Sequence, residues 1–153
     1  MSIPPSQSPD IDYENLIGNF IGTGSARDVY EVTGKPNLVI KVAKSNLQNG
    51  ANQREANYYQ QAQTAQNQPV LDVIGEVKSI SQTGKYLIME HLSDITDNKL
   101  IPVQVPSDLT DIKRPNFGYD TKGNVKMRDY GQTKMPLSPR PTVPFSIGVP
   151  HKK

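Results

Sequence analysis

The chain has 153 residues, enough for one domain of ordinary size. Its 17 basic and 15 acidic side chains leave a net charge of +2, which gives no whole-protein argument for nucleic acid or an anionic membrane as partner. Without cysteine it forms no disulfide or thiolate metal site, and its two histidines, His91 and His151, are too far apart to suggest zinc.

The first residues, MSIPPSQSPD, contain neither a basic n-region nor an apolar h-region, so no signal peptide is expected. No apolar run approaches the roughly 20 residues that span a bilayer. A soluble, cytoplasmic or otherwise intracellular protein is the expectation. Residues 1–12 read as an extended arm, with Pro4, Pro5 and Pro9 among serines. Segment 16–22 is a short strand ending in glycine, and 28–32 is a second strand after the turn GTGSAR. LVIKVAK at 38–44 is the strongest strand, rich in β-branched residues. Alternation puts Leu38, Ile40 and Val42 on one face and Val39, Lys41 and Ala43 on the other.

Residues 49–66 have helical spacing, with Ala51, Tyr58, Ala62 and Ala65 on one stripe. Glu55 falls on the same stripe, where a carboxylate is costly unless a cation meets it. Segments 73–80 and 85–92 read as two strands joined at Gln82-Thr83-Gly84. NFGY (116–119) and VKMRDY (125–130) form a late hairpin. Residues 132–153 hold five prolines, too many for a stable helix, and read as a basic, extended arm. The fold class is α+β, a five-stranded antiparallel sheet with one helix plus a short hairpin, flanked by Pro-rich ends. The divisions are 1–12, 13–92, 93–131 and 132–153.

Polar residues with chemical potential fall at intervals along this frame. Gly22-Thr23-Gly24 lies between two strands, where backbone can approach a phosphate closely. Taken alone it is an ordinary turn. Lys41 sits mid-strand among Val39 and Ala43, and Glu55 sits on the packing stripe of the helix. Each supplies the partner the other lacks, so an ion pair is expected. Asp111, Asn116 and Asp129 offer hard oxygen ligands suited to Mg²⁺.

In this order the series resembles the protein-kinase signature set. Gly22, Gly24 and Val29 match the Gly-rich loop, with Arg27 where its third glycine belongs. Lys41 matches the phosphate-holding lysine and Glu55 its helix partner. Met89-Glu90-His91-Leu92 is similar to the hinge. Asp111 and Lys113 match the catalytic loop, and Asp129-Tyr130-Gly131 the metal-binding turn. The resemblance implies ATP and Mg²⁺ as cofactors. It assigns nucleotide binding to Gly22, Gly24, Val29, Val39, Lys41, Glu55, Met89, Glu90 and His91. Catalysis falls to Asp111 and Lys113, and metal binding to Asn116 and Asp129.

The departures are equally plain. Leu109-Thr110 replaces the His-Arg before the catalytic aspartate, and only 18 residues (93–110) separate hinge from Asp111. No large helical lobe follows. Two readings stay open. One is a minimal kinase-like phosphotransferase, weak alone and dependent on a partner. The other is a non-catalytic kinase-like scaffold whose Pro-rich ends bind protein partners or a second copy, within an assembly such as a virus particle or effector complex.

Overall fold

A computed structural model describes residues 2–45, 49–96, 101–106, 114–130 and 142–147. A short helix α1 (Ile11–Glu14) precedes three strands, β1 (Ile17–Thr23), β2 (Arg27–Val32) and β3 (Lys35–Ala43). Helix α2 (Asn49–Thr64) and a four-residue helix α3 (Gln68–Leu71) follow, then β4 (Val77–Ile80) and β5 (Tyr86–Glu90). After β6 (Ile101–Pro106), a 3-10 turn at Arg114–Asn116 leads into the hairpin β7 (Phe117–Tyr119) and β8 (Val125–Met127). The last described element is β9 (Thr142–Ile147).

The five-stranded sheet has the order β1-β2-β3-β5-β4, antiparallel throughout. Its two faces bury different clusters. On one, Ile40 and Ile88 pack with Tyr13, Leu16, Val32 and Tyr86. Full burial of each isoleucine contributes about 1.5–3 kcal/mol. On the other, Val39, Leu87 and Met89 pack with Tyr58 and Ala62 of α2, with Phe117 and Met127 of the β7–β8 hairpin and with Tyr130 just after it.

Helix α2 presents Ala51, Glu55, Tyr58 and Ala62 to the sheet, all buried, as the spacing predicts. Ala65 does not join them. The helix ends at Thr64, because Gln66 turns with φ 54° and Asn67 caps α3 by accepting from the Val70 amide. The strand predicted over 73–80 is also shorter. Val73 and Gly75 exchange backbone hydrogen bonds with Met127 instead of continuing the sheet, so this stretch ties the late hairpin to the body.

Two connections were not legible beforehand. The N-terminal arm is docked rather than free. Gln7 N–H donates to Ile80 O, Gln82 N–H to Ser8 O, and the Tyr13 hydroxyl meets Ser79 at 2.6 Å, so the arm covers the β4 edge. In the Pro-rich tail, β9 pairs antiparallel with β6, in register Ile101↔Ile147, Val103↔Phe145 and Val105↔Val143. The described part of the tail, Thr142–Ile147, is extended, and the strand it meets belongs to this chain's own linker. Among the described residues no helix is long and apolar enough to cross a membrane.

Candidate functional site

The sheet brings Lys41 (β3) and Arg27 (β2) onto one face, beneath α2. Lys41 Nζ lies 2.5 Å from Glu55 Oε1, so the expected ion pair forms. Arg27, Lys41 and Glu55 are all buried. Arg27 adds a fork, with Nη1 to Glu55 Oε1 at 3.1 Å and Nη2 to Oε2 at 3.2 Å. The Tyr130 amide donates to Oε2 at 2.9 Å. The second hydrogen of Arg27 Nη2 reaches Asp129 Oδ1 at 2.9 Å, and Nη1 also reaches Asn52 Oδ1 at 3.0 Å. Lys41 donates in addition to the Arg128 carbonyl.

The charges pull on one another strongly at this depth. Burial pushes the Glu55 carboxyl up, but the Arg27 and Lys41 charges outweigh it and hold it at about 2. Lys41 is lowered, first by burial and then by the neighbouring guanidinium. For Arg27 burial acts downward, and Glu55 and Asp129 more than restore its charged form.

This network forms the polar end of a cavity of about 500 Å³. Gly22, Thr23 and Gly24 line it from the β1–β2 side, with apolar walls from Ile21, Val29, Val39, Met89 and Leu92. Glu90, His91, Asn116 and Asp129 line it too. A Cβ on Gly22 would meet nothing within 4 Å, one on Gly24 would come no nearer than 3.7 Å to Arg27 O, and neither residue has positive φ. The fold itself therefore does not require glycine at either position.

The late hairpin is fixed to the segment that follows β5. Arg128 donates to Leu92 O at 2.9 Å and Pro115 O at 3.1 Å, and pairs with Asp94 at 2.7 Å. Lys126 bridges Glu90 at 3.0 Å and Asp120 at 3.5 Å. Ser93 and Tyr119 exchange backbone hydrogen bonds, and a Cβ on Gly118 would lie 2.7 Å from Leu92 Cβ and Ser93 O. Only glycine permits that approach.

The sequence reading thus placed Gly22, Gly24, Val29, Val39, Lys41, Met89, Glu90, His91, Asn116 and Asp129 around one cavity, with Glu55 directly behind Lys41. Asp111 and Lys113 lie outside the described residues. It missed the roles of Arg27, Asn52 and Arg128. Strand alternation in RDVYEV carried a signal for Arg27, since Val29 pairs with Lys41 and Arg27 with Ala43, on the lysine's face. Asn52 is one turn before Glu55 on the helix. Its amide donates to the carbonyls of Lys41, Gly84 and Lys85, fastening α2 to the sheet.

Asp129 already accepts from a guanidinium, and among the described residues no three His, Cys, Asp or Glu side chains are grouped to hold a metal. Neither models of known families nor the curated proteins searched return a match to this chain.

Proposed function

We propose that this chain is a minimal kinase-like nucleotide-binding protein, with adenine at the apolar end of the cavity between Val29, Val39, Met89 and Leu92 and the phosphates toward Lys41. The observation that carries this reading is the buried Lys41–Glu55 pair at 2.5 Å, opening onto a cavity edged by two glycines that the fold does not need. Lys41 has three ammonium hydrogens, and Glu55 and the Arg128 carbonyl take two of them. The third is left to contact a phosphate oxygen. ATP is the ligand that the resemblance names.

Calorimetric titration of purified protein with ATP tests this. Binding is expected, weakened about tenfold or more in Lys41→Met, which removes a charged hydrogen bond. Saturable binding that Lys41→Met leaves unchanged would remove the basis for the reading.

Phosphoryl transfer is a further step that needs Asp111 held within hydrogen-bond reach of an acceptor. Slow transfer, rising with a partner that braces this loop, is the form it takes under this proposal. A second reading is the non-catalytic scaffold. It is favoured by one feature: Arg27 closes the buried charges on one another before any ligand arrives. Transfer that is undetectable with or without partners, alongside intact ATP binding, would select it.

A further inference from the structure

We infer that Arg27 takes the place of a divalent cation at Asp129, so that this cavity binds nucleotide without metal. The inference rests on the nucleotide reading above and concerns only the metal.

The position of Arg27 is fixed from three sides. A guanidinium has four terminal hydrogens, and here each has an acceptor: Asn52 Oδ1, both oxygens of Glu55, and Asp129 Oδ1. The group is also buried, at 6% exposure, so it cannot swing aside without leaving Glu55 short of donors. A divalent cation binding Asp129 would have to sit beside this permanent charge, either on Oδ2 or in place of the guanidinium at Oδ1. Like charges at such range oppose each other, and the burial of the guanidinium limits how far water screens them.

Among the described residues the rest of the wall offers a cation little compensation. Of these, three carboxylates line the cavity, Glu90, Asp94 and Asp129. Each already has a cationic partner: Lys126 at 3.0 Å, Arg128 at 2.7 Å and Arg27 at 2.9 Å. Among the described residues no carboxylate on that wall lacks a cationic partner. Asn116, the other expected ligand, brings a neutral amide. The cation that neutralises Asp129 is thus supplied by the polypeptide, from the position where the resemblance places a third glycine.

The test is equilibrium binding of a fluorescent ATP analogue in excess EDTA and in excess Mg²⁺. For the unmodified chain the two affinities are expected to agree within about threefold. Asp129→Asn should bind as tightly or more tightly in EDTA. It removes a negative charge from the wall, while the amide oxygen can still accept from Arg27. Asp129 is 43% exposed, so the variant is expected to fold. Arg27→Gln should weaken binding in EDTA about tenfold and make it respond to Mg²⁺. Binding that disappears in EDTA and returns with Mg²⁺ overturns the inference and leaves the nucleotide reading standing. So does an Asp129→Asn variant that loses the Mg²⁺-supported complex. Absence of binding in both conditions overturns both.

Discussion

Strand β3 passes between two environments, and its alternate residues report on each. Leu38, Ile40 and Val42 meet Tyr13, Leu16, Tyr86 and Ile88, an apolar layer closed by the N-terminal arm. Val39, Lys41 and Ala43 face α2, where Arg27, Glu55 and Asn52 are buried alongside Tyr58 and Leu87. The first face is what any small domain needs to fold. The second keeps three charged side chains away from water, although apolar residues of similar size would fold at least as well. That contrast directs attention to the Lys41 side as the one shaped by something besides stability.

The strongest test of the contrast removes one charge and then all three. Glu55→Ala leaves Arg27 and Lys41 buried without their shared counter-charge, and should cost about 3–5 kcal/mol in urea unfolding. Ile40→Ala on the apolar face should cost about 2–5 kcal/mol through its cavity. The two single changes look alike. The triple variant Arg27→Met, Lys41→Met, Glu55→Gln separates them, because the glutamine still accepts from the Tyr130 amide and no buried unpaired charge remains, the Asp129 carboxylate being half-exposed to water. Its stability should return to within about 2 kcal/mol of the parent, with nucleotide binding lost. A triple variant as unstable as Glu55→Ala would mean that the charges serve folding, and the contrast between the faces would fail.

Acid should act most strongly on the Lys41 face, although on the arm side Asp10 is also lowered, burial acting upward and the hydrogen bonds from Thr83 outweighing it. A carboxyl held at about 2 in the fold, against an ordinary 4.5, adds stability that is complete above pH 4.5. That stability drains as pH falls toward 2, and the difference corresponds to about 3 kcal/mol for Glu55. The apolar face has Tyr13 and Tyr86, both raised by burial and therefore neutral throughout this range. Urea midpoints measured between pH 4.5 and pH 2 should fall in the parent chain. The slope should be flatter in the triple variant. Equal slopes would locate the acid sensitivity elsewhere.

What could be read from the sequence divides along the same line. Period-two alternation in LVIKVAK and helical spacing around Glu55 are local patterns, so the sheet, α2 and the Lys41–Glu55 pair followed from them. Arg27 was harder, because its importance depends on the register Arg27↔Ala43, which sets it beside Lys41's partner. The β6–β9 ribbon was hidden for a different reason. Apolar residues at 101, 103 and 105 match those at 143, 145 and 147, but Pro102, Pro106 and Pro144 break the usual strand signature. Prolines are tolerated there because a two-stranded ribbon has edges on both sides. The docked N-terminal arm rests on Ser6, Ser79 and Tyr13 hydroxyls that meet only in three dimensions.

A milder change probes that arm. Tyr13→Phe keeps the ring stacked on Tyr86, with centroids 6.0 Å apart, and removes only the hydroxyl shared with Ser79 and Pro5 O. Ser79 retains its bond to Pro4 O at 2.7 Å. The expected loss is about 1 kcal/mol, with ATP affinity unchanged. A drop in affinity would show the two faces to be coupled through β3 rather than separate.

The smallest expected effect on stability is the most informative about the site. Gly22 lies in β1 with backbone that any residue can adopt, and a methyl group built on it touches nothing. Alanine there removes backbone freedom from the unfolded chain and creates no clash, so unfolding should shift by no more than about 0.5 kcal/mol. If the space beyond Gly22 exists for the chain's own packing, nothing else should change. If it is kept for a phosphate approaching the backbone, the added methyl occupies the ligand's path, and ATP affinity should fall about tenfold. The paired measurement, urea midpoint and ATP titration on Gly22→Ala, distinguishes a turn from a binding loop without touching a charged residue. Unchanged affinity would return Gly22-Thr23-Gly24 to an ordinary turn, and the case for nucleotide would then rest on Lys41 alone.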